Sequence, residues 1–455
     1  MYRISIYIII LSVLSGCATF YELNYGFQEK LQQGDYSGAS KYLSSHKKLK
    51  KKRNELLYYM NLGYVQRQSG DYEASNKSFN QADYLIEDYK KELGYEALAL
   101  FTNDAIKPYK PEPYEEVMIH YYKALNYLNI HQPNEALVEA KRLTLSLQKL
   151  TDYDPKLEKK LNQFVGFSNL ITGIIYESNE DYNNAFIAYR NALNDYEKSK
   201  TIPDQLKKDL ISSAYKSGFT SEAKMYEKKF GINVEPKQSS EIVFFWENGL
   251  NPFKDEWSVN FTIVAGQQGY VTFDNADLGI SLPFFIGNNA QQRQDLLGLR
   301  FTRIAFPKYI SRKPLYNDGK ISYANNGYAF SEIIDINQVA HDWMDTKLLK
   351  YLSKSLLRVA LKKIAELKLN AEHQALGSAA NILNALTEKA DTRNWQTLPA
   401  QISYTRFPVD KSAQSVDLTL YQGLTKKIET INVHPDRSLN IVSHHSLAVQ
   451  RLYPR

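Results

Sequence analysis

Leu62-Gly63-Tyr64, followed by Gly70-Asp71-Tyr72, Ser75, Phe79 and Ala82, decides how the first half of this chain folds. A small residue is followed seven positions on by a turn, two further on by tyrosine, then by a small residue, an aromatic and an alanine at steps of three, four and three. The same steps recur in Gly173, Tyr176, Asp181-Tyr182, Ala185, Tyr189 and Ala192. Small residues at that spacing let two antiparallel helices approach closely, and the aromatics fill the groove beside them.

This spacing resembles the tetratricopeptide repeat. Weaker copies share its register: Gly34-Asp35-Tyr36 with Ala39, then Ala124, Tyr127 and Ala136, then Gly218 with Ala223. The equivalent small residues are Ala39, Ser75, Ala136, Ala185 and Ala223. Their gaps are unequal, and two are well above the ideal of about 34 residues. Inserted elements are therefore expected near Tyr89–Pro113, where Pro108, Pro111 and Pro113 break helix, and near Asp152–Lys160. A stack of such hairpins leaves a concave face of first-helix side chains. By register that face holds Tyr64, Arg67, Tyr121, Leu125, Ile174 and Glu177. These are the candidate partner-binding residues. The groove takes a peptide or partner helix, or it is filled by the chain's own inserts or second half.

The N-terminus reads as an address. Arg3 precedes an apolar run from Ile4 to Leu14, about half of the roughly 20 residues a membrane-spanning helix needs. Leu14-Ser15-Gly16-Cys17 then has the layout of a lipobox, with small residues where a peptidase needs an unhindered backbone. Cys17 is the candidate lipidation site, and it is the only cysteine, so no disulfide can form within the chain. Ala18, where an aspartate would signal inner-membrane retention, resembles the outer-membrane case. The expected location is the outer membrane, lipid-anchored and facing the periplasm. Apolar residues at 43% and charged residues at 23% make the body globular. With 56 basic against 50 acidic residues, the net charge of +6 is too mild to argue for nucleic acid. One local exception is Lys47 to Arg53, in which every residue but Leu49 is basic. Such a run suits anionic lipid head groups near the anchor, or a solvated helix end between two hairpins.

Composition shifts around Gly231 to Ser240, read as a linker between two independently folding units. Glu241 to Trp246 is a buried strand ended by a turn over Glu247 to Pro252. Further strands are expected at Ser258–Val264, Gly279–Ile286, Leu299–Phe306 and Tyr328–Ile334, with a loop bracketed by Pro307 and Pro314. From Asn337 to Leu369 the apolar period becomes helical, and a second helix is expected over Ala371–Lys389. Strands return at Ala400–Phe407, Ser415–Leu420, Lys427–Val433 and Leu439–His445, joined by short links at Tyr421 and His434 that suit hairpins. The expected fold is α + β. A signal peptide over 1–16 precedes an N-terminal α-helical repeat superhelix over 17–235. An α+β domain over 236–455 follows, with antiparallel strands and an inserted helical pair.

Three further stretches carry a wider resemblance. One is Tyr109 with Tyr114 to Leu128 and Val138-Glu139-Ala140-Lys141-Arg142. The others are Glu247-Asn248-Gly249-Leu250-Asn251-Pro252-Phe253-Lys254, and Thr392 to Ala400 with Arg406. Together they resemble an uncharacterised family of tetratricopeptide-repeat-containing bacterial outer-membrane lipoproteins. That resemblance implies a membrane-anchored accessory of envelope assembly and carries no activity over to particular residues.

Catalytic constellations are not legible. The sequence has no HExxH, P-loop or GxSxG pattern. On a strand His444 and His445 point to opposite faces and cannot share a metal. Glu115-Glu116 and Glu87-Asp88 read as solvated helix faces. Arg393, Trp395 and Arg406 are possible ligand-binding residues: Trp395 with Leu398-Pro399 packs the end of the second helix onto the returning strand, and the arginines anchor an acidic ligand or pair with internal carboxylates. No catalytic residue, metal or cofactor is expected. The reading is a non-enzymatic scaffold or adaptor with a protein partner in the envelope; the competing one is a glycan-binding or enzyme-accessory module.

Overall fold

Each helical hairpin turns through one residue of positive φ, and that residue sets the repeat. It is Gly34, Gly70, His131, Glu180 and Gly218 in successive hairpins, at φ between 59° and 82°. Five residues later come Ala39, Ser75, Ala136, Ala185 and Ala223, all fully buried. The repeat register read from these residues therefore holds in all five hairpins among the described residues. A Cβ added at Gly63 would stand 2.8 Å from the Phe79 ring, and one at Gly173 2.6 Å from Tyr189. Where the turn is Gly-Asp or Glu-Asp, Asp35 and Asp181 cap the second helix by accepting from the N–H of Gly38 and Asn184.

The computed structural model describes residues 20–91, 107–153, 155–234, 240–287, 289–298, 300–372 and 390–450. The lipobox and Cys17 lie outside them, as do residues 92–106 of the first expected insert and nearly all of the second expected helix over Ala371–Lys389. The helices pair in order: α1 (Phe20–Gln32) with α2 (Tyr36–Ser45), α3 (Glu55–Gln68) with α4 (Tyr72–Lys91), α5 (Pro113–Asn129) with α6 (Pro133–Tyr153), α7 (Pro155–Ser178) with α8 (Tyr182–Ser199), and α9 (Asp204–Lys216) with α10 (Thr220–Phe230). The extra length near Asp152–Lys160 is not a separate inserted element. It extends α6 and α7 to 21 and 24 residues.

Among the described residues the second half holds three four-stranded sheets. The first has the order β12-β1-β9-β8, built from β1 (Glu241–Asn248), β8 (Ser331–Asp335), β9 (Gln401–Pro408) and β12 (Leu439–Ser446). The second is β11-β10-β6-β7, from β6 (Asp318–Tyr323), β7 (Asn326–Ala329), β10 (Ser415–Gln422) and β11 (Thr425–Asn432). The third is β4-β3-β2-β5, from β2 (Phe253–Ala265), β3 (Tyr270–Asn275), β4 (Ile280–Phe285) and β5 (Phe301–Ile310). Its inner face is covered by α11 (Ala290–Leu297) and by α12 (Ile336–Glu372), which presents Leu352, Leu356 and Ala360.

The expected all-antiparallel pairing needs one correction. β1 and β12 run parallel, with Glu241 opposite Leu439. The link at His434 is accordingly not a hairpin: it carries the chain from the edge of the second sheet into the first, whereas the link at Tyr421 does join β10 and β11 as a hairpin. Pro307 lies within β5 and not in a loop, which an edge strand tolerates because the missing N–H is not needed by a neighbour. β3, β6 and α11 were not expected.

β1 explains its own continuous apolar sequence. Ile242, Phe244 and Trp246 pack on the second sheet, while Val243 and Phe245 face the helices. The core that starts at Phe20 runs without interruption through Val243, Phe245, Trp395 and Tyr404. The two halves share one core across the composition shift at 231–240.

Candidate functional site

The six concave-face residues lie where the register puts them, on α3, α5 and α7, and the first sheet covers them. Tyr64, Tyr121, Leu125, Ile174, Arg67 and Glu177 are all buried, none more than 5% exposed. Of the two occupants the sequence leaves open, an external partner or the chain's own second half, the structure gives this face the latter: β1, β9 and β12 of the same chain.

The occupancy is polar as well as apolar. Arg406 on β9 donates both Nη atoms to Glu177 on α7, each at 2.8 Å, and also binds Glu241. Lys216 and Tyr189 add bonds to Glu177 at 2.9 Å each. Burial opposes the Glu177 charge, but Arg406 and Lys216 outweigh it and hold the carboxyl at about 2. Asp209 lies beside this group, accepting from Tyr404 at 2.9 Å, and burial with the nearby Glu177 charge pushes it up to about 6.

A second group centres on Glu247 at the end of β1. Tyr121 and Tyr122 each donate to it at 3.2 Å. Tyr64 bonds His445 Nδ1 at 2.6 Å, and His445 Nε2 meets the Gly249 carbonyl at 2.6 Å. The carbonyl can only accept, so Nε2 carries the proton and Nδ1 accepts from Tyr64. Burial pushes this neutral imidazole down to about 3. Arg67 is held by Asn126 at 2.5 Å and Ser443 at 2.6 Å and lies over the Tyr122 ring. His444 points the other way, to Glu429 at 2.9 Å.

A third group lies at the start of α5. Lys254 and the Trp343 indole both donate to Glu112. Glu115 accepts from Tyr109, from the Glu112 N–H at 2.9 Å and from the Trp395 N–H at 2.7 Å. Its expected place on a solvated face is corrected here. Glu115 closes the capping box of α5, which turns it inward, and burial pushes it up to about 7. Trp395 packs on Phe79 and Tyr122 of the helical half. Arg393 pairs with Asp391 at 2.6 Å and donates to the Arg53 carbonyl. Arg393 and Arg406, expected to meet a ligand or internal carboxylates, meet internal carboxylates.

Several functional-looking groups escaped sequence reading. Arg312 is buried and spends its guanidinium on Gln28 and on the carbonyls of Asn251 and Gln396. Burial lowers it to about 9. Glu247 carried the one usable signal, a carboxylate ending a wholly apolar strand. On the outside of the helical half, α6, α7 and α8 leave a groove of about 410 Å³ lined by Lys141, Leu145, Asn169, Tyr176, Ile187 and Asn191. Leu145 and Ile187 are 53% and 43% exposed there. Among the described residues, no group of histidine, cysteine, aspartate or glutamate side chains could hold a metal ion.

No protein-family model matches the chain, and no curated protein matches it. Among solved structures it is similar to MamA, at 16% identity over 44% of this chain and 90% of that one, with a TM-score of 0.30. It is also similar to the apo form of RapI, at 16% identity over 46% and 68%, with a TM-score of 0.35. A tetratricopeptide repeat protein from Parabacteroides merdae is similar at 15% identity over 48% and 81%, with a TM-score of 0.22.

Proposed function

We propose that this chain is a lipid-anchored protein-interaction scaffold of the bacterial envelope and not an enzyme. The observation that supports this best is the fate of its convergent charges. Glu177 with Arg406, Glu247 with its tyrosines, and Glu112 with Lys254 all join the helical half to the strand half, and each is buried. Charges spent on locking two halves together serve a rigid body that is met on its outer surfaces. The groove between α6 and α8 is the docking place for a protein partner. The Leu14 to Cys17 lipobox supports anchoring in the outer membrane, with the body on the periplasmic side.

Two measurements test this. Cys17→Ser should abolish labelling by a fatty-acid analogue and release the chain from membranes; persistent labelling would place the lipid elsewhere. A photo-crosslinking residue at Leu145 or Ile187 should capture one discrete partner in intact cells, while one at Lys411 should not. Loss of that product on introducing a charge at the other rim residue is expected, and an unchanged product would remove the groove from the reading.

A second reading, as a glycan-binding or enzyme-accessory module, has its own support. The outer face of the third sheet displays Tyr270, Phe285 and Phe301 at 42%, 59% and 67% exposure, and such rings suit sugar stacking.

A further inference from the structure

The basic run Lys47–Arg53 gains a meaning from where the first hairpin puts it. α1 and α2 are antiparallel, so the end of α2 lies beside the start of α1. The Tyr42 hydroxyl donates to the Leu23 carbonyl at 3.3 Å, and its ring would stand 2.8 Å from a Cβ at Gly26. The turn after α2 therefore begins next to Phe20, the first described residue. Cys17 is three residues earlier in sequence, a reach of roughly 10 Å at most.

The turn itself is pinned while its charges are not. Leu49 is buried, its N–H donates to the His46 carbonyl at 3.0 Å, and Asn54 donates to the Lys48 carbonyl at 2.9 Å. Lys47, Lys48, Lys50, Lys51, Lys52 and Arg53 are all exposed. Among the described residues none of the six forms an ion pair, though Lys50 lies over the Tyr58 ring.

A local helix role does not account for them. The last turn of α2 contains no basic residue. The run ends at the N-terminus of α3, where the helix dipole favours anions. Six cations placed there work against that helix and call for an anionic surface outside the chain.

We propose that Lys47–Arg53 is a docking surface for an anionic phospholipid bilayer, holding the anchored end of the body flat against the leaflet that carries the lipid. The inference rests on the anchored reading above. A basic residue near an anionic surface strengthens binding about fivefold. A short tether brings the run close to the surface, and charges there act on it over a screening length of about 8 Å.

The test uses the mature chain with its lipid, reconstituted on vesicles of phosphatidylcholine alone or mixed with phosphatidylglycerol. Flotation reads the anchor, and amine labelling followed by mass spectrometry reads the surface. Labelling of Lys47, Lys48, Lys51 and Lys52 should fall about fivefold or more on the anionic vesicles. It should recover near 1 M salt, where screening acts within about 3 Å. Lys224 on α10 is the exposed control and should not change. Replacing Lys48, Lys51 and Lys52 by glutamate should preserve flotation and the melting temperature while removing the difference at Lys47. Equal labelling on the two vesicles overturns the surface. A chain that fails to float on phosphatidylcholine overturns the anchor instead; flotation on phosphatidylglycerol alone then supports the surface, and flotation on neither overturns it.

Discussion

Arg406 and Glu177 stand 229 residues apart in the chain and meet as a two-bond pair, with both distances at 2.8 Å. One comes from the middle of a strand and the other from the last turns of a helix. The pair welds the concave face of the repeat array to the sheet that fills it.

Removing one partner should therefore cost far more than a surface change. Arg406→Met leaves Glu177 buried with only Lys216 as a cation, and a loss of roughly 3–5 kcal/mol is expected in denaturant unfolding. Glu177→Gln should cost a similar amount, and the double variant less than the sum. A groove side chain in solvent would change stability by no more than about 0.5 kcal/mol. Single variants in that smaller range would mean that the face is open in solution.

The repeat glycines give a steric prediction. Gly63→Ala places a methyl 2.8 Å from the Phe79 ring, which is fully buried and cannot swing away. A cost of about 1–3 kcal/mol is expected. Phe79→Leu should recover part of it in the double variant. An additive double variant would show that the helices part elsewhere.

His445 predicts a pH dependence with a definite sign. Its folded value of about 3 is depressed below the ordinary histidine value of 6.5 because burial disfavours the charged ring. The unfolded chain takes up the proton first, so the stability carried by neutral His445 is full above about 6.5 and is lost as pH falls towards 3. Glu115 and Asp209, raised to about 7 and about 6, act in the opposite sense over part of that window. The measurement is therefore a difference: the gap in melting temperature between wild type and His445→Gln should shrink from pH 7 to pH 4. A constant gap would mean that the histidine does not titrate across folding.

What the sequence makes legible here is periodicity. Ala39, Ser75, Ala136, Ala185 and Ala223 recur because each closes a hairpin, a local requirement that spacing reports directly. The apolar run of β1 likewise shows a strand buried on both faces. The occupant of the groove is not local: nothing near Tyr64 or Tyr121 announces that His445 and Glu247 will arrive from the far half. Glu115 is illegible for a similar reason, since its inward turn depends on a capping box and on the Trp395 N–H from a distant loop. β3 and β6 are short and mix polar with apolar residues, so they acquire strand structure only from their neighbours.

The shared core makes a prediction about the two halves that composition alone reverses. A chain beginning at Ser240 would expose the helix-facing side of the first sheet, including Val243, Phe245 and Tyr404, and with it Trp395 from the segment before β9. It would also strip Arg406 of Glu177, Lys254 of Glu112, and Arg312 of Gln28. Water would solvate those charges, and the apolar side left bare would have no cover. Such a chain should keep strand content in far-ultraviolet circular dichroism while losing fixed aromatic signals and binding a hydrophobic dye. Adding residues 18–234 as a separate chain should restore the aromatic signals, because the missing face is what those residues supply. A chain from Ser240 that unfolds cooperatively by itself, with no dye binding, would show that the first sheet is stable without the repeats and that the groove is occupied by docking and not by folding.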